Sequence, residues 1–235
     1  MLHYKFDWAI VTSGKYAHWL LSGIYTTVQI SAVSIILAFL LGLTIAVMRM
    51  SSFKPARWFA LAFLEFTRNT PLLVQIFFWY FGSYQILPQA VNDWLGRMNF
   101  EFAAGVMALT IYTSAFIAED IRSGVRSIPK EQMEAARSAG FSFLRSMRYI
   151  ILPQAIRIII PPLINQFLNL TKNSSLAMTI GVAELTYQAR QVESYTFRGY
   201  EAFTAATLVY LVMSLFIAAA VNIYNKQVLS LIEGR

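Results

Sequence analysis

Residues 19–48 read WLLSGIYTTVQISAVSIILAFLLGLTIAVM, thirty positions without a charged residue, closed by Arg49. A hydrocarbon core about 30 Å thick is crossed by about 20 apolar residues in helical form. The stretch therefore meets the length needed to span a membrane. It exceeds the apolar region of a cleavable leader, about 7–15 residues, and no small-residue cleavage site follows. It is expected to stay in the protein.

The rest of the chain carries the same signature. Of 235 residues, 57% are apolar and only 13% charged, and the mean hydropathy is +0.53. A soluble domain carries about 25% charged residues. Too little polar surface remains to clothe a water-soluble core, which excludes a soluble enzyme or binding module. The sequence has no cysteine, so disulfides and thiolate metal sites are excluded as well.

Further charge-free stretches run from Asn69 to Asn92, Phe102 to Ala118 and Ala202 to Asn225. A less regular one begins at Ile158, where Pro161, Pro162 and Lys172 interrupt an apolar run that reaches Glu184. Prolines are tolerated in membrane helices where neighbours satisfy the freed carbonyls. The expectation is an all-α integral membrane protein of about five spans, near residues 22–48, 71–91, 102–118, 156–183 and 203–225. Residues 1–18 form a segment before them, 119–155 a loop between the third and fourth, and 226–235 a tail.

Basic residues set the orientation. Arg49, Lys54, Arg57, Arg68, Arg122, Arg126, Lys130, Arg137, Arg145, Arg148, Arg157, Lys226 and Arg235 fall on one side, against Lys5, Lys15, Arg97, Arg190 and Arg198 on the other. The N-terminus is therefore expected outside and the C-terminus in the cytoplasm. The net charge of +7 belongs to membrane flanks, not to a nucleic-acid footprint. Thr70-Pro71 reads as an N-cap with proline at the first helical position. Residues 54–68 read as a helix along the inner surface with Trp58 at headgroup level, and Trp19 and Trp94 fall at an outer aromatic belt.

The loop carries the motif. Residues 127–153 read SIPKEQMEAARSAGFSFLRSMRYIILP. Pro129 opens a helix, Lys130 to Ala139 is rich in helix formers, Gly140 sits where helices stop, and Ser142 caps a second helix. On composition alone this is an amphipathic pair resting on headgroups. The spacing says more: Glu134-Ala135-Ala136, three residues, Gly140, nine residues, then Ile150, Leu152 and Pro153.

That pattern resembles the EAA motif of permease subunits of bacterial ATP-binding-cassette (ABC) importers at every fixed position. Arg68 to Gln75 (RNTPLLVQ), Asn169 to Ala177 (NLTKNSSLA) and Val182 to Leu185 (VAEL) are similar to the polar amino-acid branch of the family. The resemblance spans residues 20–225 and is greatest to glutamate/aspartate-type permeases. It departs from the family pattern at Glu131, where glycine is common, and at Ala139, where leucine is common.

The resemblance implies a type I ABC importer permease in a bacterial inner membrane, with the loop coupling to a cytoplasmic ABC ATPase dimer. Glu134, Ala135, Ala136 and Gly140 would make that coupling. Other implied partners are a second permease subunit, either a copy or a paralogue, and an extracytoplasmic amino-acid-binding protein. ATP and Mg would be bound by the ATPase, with no cofactor in this chain. Residue chemistry agrees, since no G-x-x-x-x-G-K-[ST] occurs and Gly14-Lys15 lacks the flanking residues. No H-E-x-x-H or G-x-S-x-G occurs either, and His3 and His18 precede the first span, so no enzyme is expected.

Lys172 costs about 2.5–3.5 kcal/mol at the bilayer centre and needs a reason to be there. With Asn165, Asn169, Asn173 and Ser174 it could line a route for a zwitterion. The alternative is a snorkelling lysine among residues that only bond neighbouring helices. Glu65 and Arg68 are spaced to pair, Arg122 to offset Glu119 and Asp120, and Glu184 to cap a turn or meet a partner. The rival to an importer is an ion-gradient-driven secondary transporter or channel, which leaves the seven motif positions unexplained. An integral-membrane enzyme lacks converging catalytic groups.

Overall fold

The structure is a computed structural model that describes residues 4–97 and 99–233, with side chains through Ala219 except at 84 and 94–96. His3 and the side chains of Trp94, Lys226 and Arg235 lie outside the described residues. All regular elements among the described residues are helical. They are α1 (Ala9–Thr12), α2 (Gly14–Met50), α3 (Lys54–Arg68), α4 (Leu72–Ile86), α5 (Gln89–Gly96), α6 (Phe100–Arg126), α7 (Lys130–Ser138), α8 (Phe143–Ser146), a π turn (Met147–Ile151), α9 (Leu152–Asn173), a 3₁₀ segment (Ser174–Ile180), α10 (Leu185–Thr196) and α11 (Gly199–Glu233).

Four of the described helical segments are long and apolar enough to cross a membrane: Gly14–Met50, Phe100–Arg126, Phe143–Ile180 and Gly199–Ala219. Most helices overrun the spans read from charge, because charge marks the lipid boundary while caps end helices. α2 has 37 residues, about 55 Å at 1.5 Å per residue, so the expected N-terminal segment is already helical from Gly14. α6 carries the third span to Arg126, past the expected loop start at 119. The backbone of α11 runs through the expected tail to Glu233.

The helix in the second expected span is shorter than that span. α4 has only 15 residues, about 22 Å, and ends because Pro88 forces Leu87 to φ −85°, ψ 146°. It also starts one residue later than the capping reading placed it. Pro71 is the N-cap, while Thr70 Oγ1 accepts from Gln75 Nε2 at 2.7 Å. In the fourth span, Pro161 and Pro162 sit inside the continuous α9; the helix changes character at Ser174, where 3₁₀ geometry takes over.

The chain divides into two compact units: Met1–Ile36, Thr70–Thr110 and Asn169–Phe216, and Leu37–Asn69, Ile111–Leu168 and Ile217–Arg235. Along α2 the buried positions are Leu20, Gly23, Thr27, Ile30, Ser31, Ser34, Ala38, Gly42, Ile45 and Ala46. They form a stripe at helical spacing made largely of small residues, while Leu21, Tyr25, Val28, Ile36 and Leu40 face outward. This is the packing of membrane helices, where close backbone approach replaces a hydrophobic driving force.

In the first unit Leu20, Leu185, Ala189, Val192, Ala202 and Ala206 form a core cluster. Gly23 touches the start of α10 so closely that an added Cβ would lie 2.8 Å from Leu185 Cα. Leu185 N donates to Thr27 Oγ1 at 3.1 Å. Glu184, fully buried, caps α10: Oε1 accepts from Tyr187 N at 2.7 Å and Oε2 from Thr186 N at 2.9 Å and Tyr210 Oη at 2.7 Å. Of the two roles open to Glu184, the turn cap is the one it fills. The N-terminal segment is tied to α11, with Asp7 N donating to Glu201 Oε1 at 2.9 Å.

In the second unit α3 is an amphipathic helix with Ala60, Leu64 and Thr67 buried and Trp58, Phe59 and Phe66 exposed. Glu65 Oε2 accepts from Asn69 Nδ2 at 3.1 Å, and Arg68 lies over the Phe116 ring, 5.8 Å from its centroid. The expected Glu65–Arg68 pairing gives way to these contacts. Arg122 Nε donates to both oxygens of Glu119, at 3.1 and 3.0 Å, whereas Asp120 turns to α9.

Candidate functional site

The motif loop belongs to the second unit. α7 opens after Pro129, whose φ of −56° and ψ of 139° place it at the N-cap, with Glu131 favourably in the first turn. Its end is a Schellman motif. Gly140 N donates to Arg137 O at 3.0 Å and Phe141 N to Ala136 O at 3.1 Å, the paired closing bonds of that motif. Gly140 has φ +85° and nothing within 4 Å of an added Cβ. The glycine is required by backbone conformation, not by crowding.

α8 starts at Ser142, whose side chain accepts from Arg145 N at 3.4 Å. The expected second short helix is not separate: it passes through the π turn straight into α9. The π turn has a local cause. Pro153 has no N–H for Tyr149, and the ladder widens so that Leu152 N reaches Met147 O. Gln154 Nε2 then donates to Ile150 O at 2.7 Å. The I-x-L-P end of the motif thus builds the joint between loop and span.

Glu134, Ala135 and Gly140 are exposed. Ala136 is not: it is 4% exposed, in a helix that packs against the π turn. Of the two alanines of the motif, Ala136 is thus covered within this chain and Ala135 faces out. Sequence reasoning passed over Phe141, Phe143 and Leu144, which are exposed on the same loop. Their signal was three apolar residues around a capping serine, before the span expected near residue 156.

The polar residues of α9 divide. Asn165, in the second unit, is exposed. In the first unit Asn169 and Lys172 are exposed and Asn173 half-buried. Ser174, at the start of the 3₁₀ segment, is fully buried and donates to Thr171 O at 2.8 Å. Among the described residues no group of three or more His, Asp or Glu side chains is placed to hold a metal ion.

Long apolar helices joined by shorter, more polar helical segments define a multi-pass membrane protein. Residues 21–230 match the family described as binding-protein-dependent transport system inner membrane component, and the chain belongs to that family. It is 47% identical over 207 residues to the probable glutamine ABC transporter permease protein GlnM of Bacillus subtilis, covering 88% of this chain and 92% of that protein. It is 32% identical over 217 residues to the glutamate/aspartate import permease protein GltJ of Escherichia coli, covering 91% and 88%. A solved structure of an amino acid ABC transporter with histidines superposes with a TM-score of 0.84 at 36% identity, covering 95% of this chain and 100% of that one. The fold is that of a type I ABC importer permease. The chain is a multi-pass inner-membrane transport component and not an enzyme; membership implies an ATPase and a binding protein as partners.

Proposed function

We propose that this chain forms the translocation path of an ATP-driven importer for a polar amino acid and is coupled to its ATPase through Glu134, Ala135 and Gly140. The observation that carries the coupling is the motif loop itself. Glu134 and Ala135 are exposed on a helix whose end is fixed by the Gly140 cap and whose inner face is held by Ala136. Glu134 offers a carboxylate to a basic residue, and Ala135 lets a partner surface approach closely. A cytoplasmic ATPase dimer that binds ATP and Mg docks there. A second permease subunit completes the path, and an extracytoplasmic binding protein delivers substrate. The assembly alternates between inward-facing and outward-facing states as rigid bodies.

The substrate we favour has a short side chain ending in a carbonyl group, as in glutamine, glutamate and aspartate. Its support is the naming of the two relatives, glutamine at 47% identity and glutamate/aspartate at 32%. On this chain Asn169, Lys172 and Asn173 are the polar residues offered to that path, with Lys172 suited to a carboxylate. The test is affinity purification of the tagged chain from its native membrane, then uptake of labelled glutamine, glutamate and aspartate by the reconstituted complex. A stoichiometric ATPase and ATP-dependent uptake of one of the three are expected. Recovery of the chain alone, with uptake driven by an ion gradient, would overturn the proposal.

A further inference from the structure

The loop hangs between two helices, α6 before it and α9 after it, and two contacts within the second unit join them. Asp120 Oδ2 accepts from Gln166 Nε2 at 2.8 Å, across 46 residues of chain. One turn nearer the loop, Gly124 meets Ile159 so closely that an added Cβ would lie 2.2 Å from Ile159 Cγ1. The order is antiparallel: 120 with 166 farther from the loop, 124 with 159 nearer. A directional hydrogen bond resists sliding, and a backbone pressed on a branched side chain resists rolling.

The division of polar partners isolates this bond. Glu119, beside Asp120, is engaged by Arg122 of its own helix, and Arg68 lies over Phe116. Asp120 instead reaches another helix. A carboxylate at a span end has a partly desolvated environment, in which a single good donor matters more than it does in water. Nothing in the motif calls for either residue, since both lie outside residues 127–153.

We infer that Asp120 and Gln166 are positioning residues that clasp α6 to α9, so that the loop and both flanking helices move as one lever. This rests on the coupling role proposed for the loop. Without the clasp, force on α7 would spread α6 from α9 and be dissipated before it reached the spans. The expected defect is in coupling and not in assembly.

The test uses the complete importer, with its ATPase and binding protein, reconstituted in lipid vesicles. Amino acid taken up per ATP hydrolysed is measured together with the amount of ATPase bound. Gln166→Leu should lower the ratio by about threefold to tenfold, the population effect of one membrane hydrogen bond, with bound ATPase unchanged. Asp120→Asn keeps an acceptor for Gln166 and should keep the ratio. The exchange Asp120→Gln with Gln166→Asp should restore it. If Gln166→Leu does not assemble, the chain's lack of cysteine permits a second route. Asp120→Cys with Gln166→Cys should couple poorly when reduced and recover when joined by a short bifunctional thiol reagent. Transport stopped by that cross-link would mean that the helices slide during the cycle, and would overturn the lever. An unchanged ratio in Gln166→Leu would overturn it too. Glu134→Lys separates the two ideas. If it releases the ATPase while Gln166→Leu is silent, the loop assignment stands and the clasp alone fails; if Glu134→Lys changes neither binding nor uptake, the loop assignment itself fails.

Discussion

Replacing Gly23 with alanine should destabilise the protein, although alanine is the better helix former. The added Cβ would stand 2.8 Å from Leu185 Cα and 3.1 Å from Leu185 N. Both are backbone atoms, so no rotamer change relieves them. Restoring 3.4 Å from 2.8 Å requires the first turn of α10 to retreat by about 0.6 Å. That retreat stretches the 3.1 Å bond from Leu185 N to Thr27 Oγ1 beyond hydrogen-bonding range. Overpacking costs about 1–3 kcal/mol and the lost bond about 1 kcal/mol. Better helix propensity returns about 1 kcal/mol. The net loss is about 1–3 kcal/mol, which at about 2–4 °C per kcal/mol lowers Tm by roughly 2–12 °C. Gly82→Ala is the control, because its Cβ would meet nothing nearer than Ile86 Cδ1 at 3.8 Å. It should leave Tm unchanged or raise it by about 2–4 °C. The assay is thermal unfolding of the purified protein in lipid nanodiscs, read by intrinsic tryptophan fluorescence. Equal Tm values for the two variants would refute the close-packing argument.

Gly140→Ala puts a Cβ into a left-handed residue at a cost of about 1–2 kcal/mol. Exchange of the Phe141 amide, which closes the motif, should speed up by about 5–30-fold in hydrogen-exchange mass spectrometry; Gly140→Asn should exchange more slowly than the alanine variant. Burial raises the Glu184 carboxyl above its ordinary value of 4.5, outweighing the two amides and the Tyr210 hydroxyl that bond it. Its contribution to stability is therefore complete below 4.5 and lost as pH rises through the raised value, and Glu184→Gln should flatten the wild-type fall of Tm over that interval. Equal slopes would count against it. Tyr210→Phe leaves Glu184 Oε2 one donor short and should cost about 1–3 kcal/mol, seen in the same Tm measurement. Lys172→Ala should weaken uptake of acidic substrates more than of glutamine, and an unchanged substrate profile would remove Lys172 from the path.

Local chemistry was readable where one short segment decides the outcome. The 30-residue run at 19–48 announces a span, Pro129 and Gly140 bracket α7, and Ser142 caps α8. Pro88 carried a signal of the same kind, and it ends α4 inside a stretch that looks uninterrupted by charge alone. The motif named the loop, but it could not separate Ala135 from Ala136. One faces outward and the other is buried, in a helix packed against α8 and the π turn.

The sequence alone determined membrane insertion, the apolar stretches and the place of the motif loop, because hydropathy, charge and backbone restrictions act over a few residues. The tertiary structure decided which face of each helix is buried. On α2 the packed stripe is made largely of Gly, Ser, Thr and Ala and the outward face of Leu, Val, Ile and Tyr, and in lipid apolar character does not say which side is inside. It also decided polar partners: Asp120 with Gln166 and Leu185 N with Thr27 lie 46 and 158 residues apart. A hydrogen bond needs its two atoms within about 3 Å, and only the packed helices bring residues so distant along the chain to that separation.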